Sequence, residues 1–134
     1  MLMIDSDIWA YFFDRNVPEH DKVKGPVNEA IGNGEVLMTT VIQMELAHYL
    51  IKRLGPIIGG EKLDVLLNYP FKLDILDKEL VLRTQEVLQR YYHLGIGARD
   101  ASIIASMKRN EIERLITHDS AFKKIEGIEV IDPV

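Results

Sequence analysis

Five short apolar runs, separated by longer stretches of helical periodicity, constrain this chain more than any other feature. Residues 2–4, 36–38, 71–75, 114–117 and 129–131 are each only three to five residues long and flanked by charged or turn-forming residues. Runs of that length read as strands. Between them, apolar positions recur at helical spacing over residues 8–13, 22–31, 40–54, 61–68, 78–92 and 98–108, with a shorter helix over 119–124. Alternating strands and helices predict an α/β fold with a mainly parallel sheet between helical layers, because a parallel connection has to cross the sheet face. No repeat, low-complexity stretch or linker interrupts the 134 residues, so residues 1–134 are expected to form a single domain.

The element ends carry their own chemistry. Gly32, Asn33 and Gly34 stop the second helix, Gly55 and Pro56 the third, and Gly95 and Gly97 the one before residue 98. Thr39 and Thr40 are both N-cap types, and Thr40 with Gln43 has capping-box spacing. Residues 57–60 read as a flexible join. Phe71, Leu73 and Ile75 alternate with Lys72 and Asp74, which predicts a strand with one wet face. Leu80, Thr84, Val87, Leu88 and Tyr91 form one stripe of a helix capped by Asp77.

Four acids break this apolar patterning. Asp5 ends the first run, Glu45 sits among Val41, Ile42, Leu46 and Tyr49, Asp100 lies in a first helical turn, and Asp119 follows the fourth run. Charge is costly to desolvate without a partner. In open parallel sheets ligands bind beyond the C-terminal strand ends, where Asp5 and Asp119 would lie. A helix N-terminus favours a negative Asp100. If the helices starting near Thr40 and Ala98 pack beside the first strand, all four acids line one pocket. Hard oxygen donors of this kind suit magnesium or manganese, which activate water and neutralise charge on a phosphoryl oxygen.

The words Ile4-Asp5-Ser6, Glu45-Leu46, Asp100-Ala101 and Thr117-His118-Asp119 with Phe122, closed by Gly127-Ile128-Glu129-Val130-Ile131, resemble those of the PIN-domain family, and within it the VapC-like toxin ribonucleases. The resemblance covers essentially the whole chain. It implies a three-layer fold on a five-stranded sheet and Mg2+- or Mn2+-dependent endonucleolytic cleavage of RNA, leaving a 5′-phosphate and a 3′-hydroxyl. It also implies a small antitoxin partner and a homodimer. Residue by residue, Asp5 and Asp100 correspond to the principal metal ligands and Asp119 to a third. Glu45 corresponds to a fourth acid, a ligand or an organiser of the attacking water. Ser6 and Thr117 correspond to hydroxyls that orient the carboxylates. Asp7 departs from the small polar residue more usual there: it either adds a fifth acid to the rim or caps the following helix.

Each acid also has a purely structural reading. Asp119 can cap the helix behind it, Asp100 can be a favourable first-turn acid, Asp5 can belong to a strand-to-helix turn, and Glu45 can pair with a Lys or Arg. His20, His48, His93 and His118 lack metal-ligand spacing and are expected at the surface or rim. The aromatics from Trp9 to Phe13 are core or contact residues, with base stacking as the rival role. Arg15, Lys52, Arg53, Lys108 and Arg109 read as solvated helix faces, and Arg99, beside Asp100, as a candidate phosphate guide.

Composition bounds the rest. An apolar fraction of 47% and a charged fraction of 28% are those of a soluble globular chain. The absence of cysteine excludes disulfides and thiolate metal sites. No apolar stretch approaches the roughly 20 residues of a membrane helix, and Met1 to Asp5 has no basic leader pattern, so the cytoplasm is the expected location. A net charge of −5 is unusual for a nucleic-acid binder, but without the four clustered acids the remainder is close to neutral. Two rival functions stay open: a PIN-fold module that binds RNA or protein without cutting, and a phosphotransfer domain using Asp5 or Asp7 as nucleophile.

Overall fold

A computed structural model describes residues 1–134. In chain order the elements are β1 (Leu2–Ile4), α1 (Ser6–Phe13), α2 (His20–Gly32), β2 (Val36–Thr39), α3 (Thr40–Leu54), α4 (Pro56–Leu67), β3 (Lys72–Asp74), α5 (Lys78–Tyr91), α6 (Ala98–Arg109), β4 (Arg114–Ile116) and β5 (Glu129–Ile131). One-turn 3-10 helices lie at Tyr92–Leu94 and Ser120–Lys124. The five strands form one sheet in the order β3-β2-β1-β4-β5, every pair parallel, with helices flanking it. The α/β expectation holds, and the sheet is wholly rather than mainly parallel.

Burial follows sheet position. In β1, Met3 and Ile4 are fully buried, and all four residues of β2 are buried, because central parallel strands are covered on both faces. Their apolar side chains join Trp9, Ile42, Leu46, Leu50, Ile103, Ile104 and Phe122 in one core cluster. Trp9 stacks against Phe13 and Tyr69 and meets Phe12 and Phe71 edge-on. Trp9 and Phe13 are thus core residues and not free to stack a base, while Tyr11 and Phe12 pack half-buried against them.

Four local expectations are corrected. The cap of α3 is Thr39, whose Oγ1 accepts from the Ile42 amide at 3.0 Å; Thr40 Oγ1 instead accepts from the Leu76 amide, so the box with Gln43 does not form. Residues 57–60 are no flexible join but the first turns of α4, which Pro56 opens. An ideal Cβ on Gly59 would lie 2.6 Å from the Leu50 carbonyl oxygen, so the missing side chain is what lets α4 pack on α3. β3 has no single wet face: Lys72 and Leu73, on opposite faces, are both exposed, Leu73 at 49%, whereas the Asp74 carboxylate binds Ser106, Arg109 and Asn110 of α6 or just beyond it. Arg109 accordingly is not a solvated helix face; it pairs with Asp74 and, at 2.7 Å, with Asp77. The stripe on α5 holds, with Leu80, Thr84, Val87 and Tyr91 buried.

This topology has a switch point at β1. The chain leaves β1 toward β2 on one side, while β4 flanks β1 on the other. The loops beyond the C-terminal ends of β1 and β4 therefore diverge around a crevice, the place where open parallel sheets present ligands.

Candidate functional site

Asp5 sits at the mouth of that crevice. It ends β1, donates its amide to the Ile116 carbonyl, and N-caps α1 by accepting from the Ser6 amide at 2.7 Å on Oδ1. Its Oδ2 accepts from the Thr117 hydroxyl at 2.8 Å. Thr117 follows β4 directly, and its Oγ1 accepts in turn from the Asp119 amide at 3.0 Å. Asp119 then caps the 3-10 turn by accepting from the Ala121 amide at 2.9 Å. One buried hydroxyl thus ties the two strand ends together. Asp5 and Asp119 carry their capping roles alongside whatever else they do.

Glu45 comes from the second turn of α3 and Asp100 from the first turn of α6. Between them and Asp5 lies the Arg99 guanidinium. Its Nη1 donates to Asp5 Oδ1 at 3.0 Å and reaches Ser6 Oγ at 3.3 Å. Its Nε lies 3.1 Å from Glu45 Oε2, and its Nη2 lies 2.8 Å from Asp100 Oδ1. A single cation therefore meets acids from three separate elements. Sequence reasoning missed this role. The signal for it was a fixed positive charge one residue before a clustered acid, within a helical first turn.

The electrostatics show the crowding. Burial pushes the Glu45 carboxyl above its ordinary pKa, Asp5 and Asp100 push it further, and Arg99 opposes them. Asp100 is raised by burial and by Asp119 and Asp5, again against Arg99. Asp7 is pushed up to about 6, by burial and then by Asp5. Its carboxylate accepts from the Ile8 amide at 2.7 Å and the His118 amide at 3.2 Å, so Asp7 binds a first-turn amide of the helix that Asp5 caps and holds the segment after β4. The His118 ring turns away to Asp132 at 3.0 Å. His48 and His93 are exposed, and His20 bonds the Tyr11 carbonyl.

Does the donor set suit a divalent ion? Glu45 Oε1 and Asp100 Oδ1 are buried without a hydrogen-bond donor; the 2.8 Å approach of Arg99 to the latter is an ion pair without hydrogen-bond alignment. Such oxygens lack what a cation supplies. No three of the acids, however, are gathered closely enough about one point to hold an ion as they stand. The chemistry of the donors fits a hard cation, and the guanidinium stands among them.

An apolar groove of about 490 Å³ opens beside the cluster, with Glu45 and Arg99 at its edge and Val41, Met44, Leu76 and Val81 along its walls. No helix is long and apolar enough to cross a membrane.

The PIN domain family model matches residues 2–128. The chain is 28% identical over 132 residues to a VapC ribonuclease of Mycobacterium bovis, covering 96% of this chain and 98% of that protein. Among solved structures, VapBC2 of Rickettsia felis bound to a DNA fragment from its promoter superposes with a TM-score of 0.78 at 17% identity, over 98% of this chain and 97% of that one. The Mycobacterium tuberculosis toxin VapC20, described as cleaving the sarcin-ricin loop, superposes with a TM-score of 0.77 at 17% identity, over 92% and 93%.

Proposed function

This chain belongs to the PIN domain family, and from that premise we propose that it is an Mg2+- or Mn2+-dependent endoribonuclease, the toxin of a VapBC-like pair. The observation that carries the proposal is the convergence of Asp5, Glu45, Asp100 and Asp119 on the crevice beyond β1 and β4. The VapC ribonuclease to which the chain is similar over nearly its whole length supports the same reading.

Asp5, Asp100 and Asp119 would hold the cation, with Glu45 as a further ligand or as the group that orients and deprotonates the attacking water. The raised pKa of Glu45 suits that second role, since it brings a carboxylate closer to accepting a proton near neutrality. Thr117, which donates to Asp5 at 2.8 Å, and Ser6, whose hydroxyl lies 3.5 Å from it, would orient that carboxylate. A bound divalent cation supplies positive charge to the phosphoryl oxygens and acidifies water beside it. Cleavage on this scheme leaves a 5′-phosphate and a 3′-hydroxyl.

The apolar groove at the edge of the cluster suits a protein partner, which on this reading is a small antitoxin. Structures of VapBC complexes sharing this fold point the same way. The homodimer and the cytoplasmic location rest on the family reading alone. Phosphotransfer is disfavoured, because the late strand ends carry Thr117 after β4 and Asp132 after β5, with no lysine there to hold a transferred phosphoryl group.

The test is cleavage of a mixed structured-RNA substrate in Mn2+, Mg2+ or EDTA, by wild type and Asp100→Asn. Metal-dependent cutting that falls by about 10²-fold or more in the variant is expected, since metal-assisted charge stabilisation is worth several kcal/mol. A folded wild type that binds Mn2+ yet cuts nothing would favour the silent binding module.

A further inference from the structure

Arg99 pairs with three acids, more than any other cation in the molecule, and the nuclease scheme above has no use for it. Its contacts reach the end of β1, α3 and α6, all through one planar fork. The oxygens it holds are those a divalent ion would need. We propose that Arg99 is a resident counter-cation that occupies the acid cluster in the metal-free protein and must swing out before a divalent ion is bound. This rests on the metal-site reading of the cluster.

Three observations carry it. First, the acids are paired rather than bare: without Arg99, the half-buried Asp100 and Glu45 and the fully buried Asp5 would face one another unscreened. Second, no three acids gather about one point, and the fork that spans them is what lies between. Glu45 Oε1 has no donor, and Asp100 Oδ1 meets Arg99 only as an ion pair without hydrogen-bond alignment, so the guanidinium satisfies the cluster only in part. Third, an exit exists. Arg99 is 34% exposed and borders the open groove, so its long side chain can leave without unfolding α6. Arginine does not lose its charge at any working pH, so it vacates the site only by moving. Metal affinity is then set by a competition between an intramolecular cation and a free one.

The experiment is calorimetric titration of Mn2+ into EDTA-stripped wild type, Arg99→Gln and Arg99→Lys, with thermal midpoints in EDTA recorded by circular dichroism. Removing the competitor should tighten Mn2+ binding by about tenfold or more, the change that a displaced partly buried ion pair of modest strength would give. The same Gln variant should melt lower than wild type in EDTA, because its acids lose their partner. Arg99→Lys keeps the charge but not the three-way fork, so it too should bind Mn2+ more tightly than wild type, and it carries the test if the Gln variant does not fold. Equal or weaker Mn2+ binding by the folded variants overturns the inference and leaves the metal site standing. Absence of Mn2+ binding from folded wild type and variants alike removes the site and the inference together.

Discussion

Thr117 shows how much one side chain decides at the residue scale. Its hydroxyl donates to Asp5 and accepts from the Asp119 amide, in a fully buried position. Thr117→Val keeps the shape and removes both bonds. The expected loss is about 1–3 kcal/mol, because a carboxylate oxygen and an amide lose their partner; Thr117→Ser should recover most of it in urea denaturation. Asp7 makes a pH prediction. Its pKa rises from 3.8 to about 6 on folding, so between those values the folded protein holds the proton more than the unfolded chain does. Its contribution to stability is therefore present below about pH 4 and is lost as pH rises through 6. In EDTA, Asp7→Asn should gain stability relative to wild type on going from pH 4 to pH 7.5, by about 1–2 kcal/mol once partial exposure and the lost acceptor oxygen are discounted. A difference that shrinks over that range contradicts it.

At the scale of elements, α4 and β3 depend on single close contacts. The space over Gly59 is filled by the Leu50 carbonyl, whereas a Cβ on Gly60 meets nothing within 4 Å. Gly59→Ala must push the α3 and α4 backbones apart and should cost about 1–3 kcal/mol. Gly60→Ala, one residue on and in the same helix, should stabilise by about 0.5–1 kcal/mol, by restricting the unfolded chain. Thermal melts of the pair separate close packing from helix propensity. β3 is an edge strand with Lys72 and Leu73 both exposed, and its anchoring contacts are polar: Asp74 against Ser106, Arg109 and Asn110.

The molecule as a whole is acidic, and its arginines are largely spent internally. Arg53, Arg83, Arg90, Arg99 and Arg109 are all ion-paired to acids of the same chain. With a net charge of −5, the metal-free protein should bind RNA weakly and with a shallow salt slope. Between 50 and 200 mM salt its affinity should change by less than about tenfold, where a basic binder making many phosphate contacts loses about 10³–10⁵. Filter binding in EDTA measures this, and a steep slope would mean that unpaired lysines form a real phosphate track.

The sequence alone determined the order of strands and helices, their parallel arrangement and the four acids that break the apolar pattern. Those signals are local: a strand reads at a period of 2, a helix at 3.6, and an acid at the end of an apolar run stands out without knowledge of its neighbours. Asp5, which follows β1, stands out along the chain for that reason. The tertiary structure decided what depends on distant partners. Gly59 reads as a loop residue until Leu50 is packed on it. The alternation of β3 predicts one wet face, but at the sheet edge Lys72 and Leu73 are both exposed, and Asp74, which periodicity assigned to solvent, meets polar groups of α6. Arg99 looks like a free cation along the chain. Only folding brings Asp5, 94 residues away, and Glu45 within reach of its guanidinium, because a charge finds its partner through space and sequence spacing records only the nearest few positions.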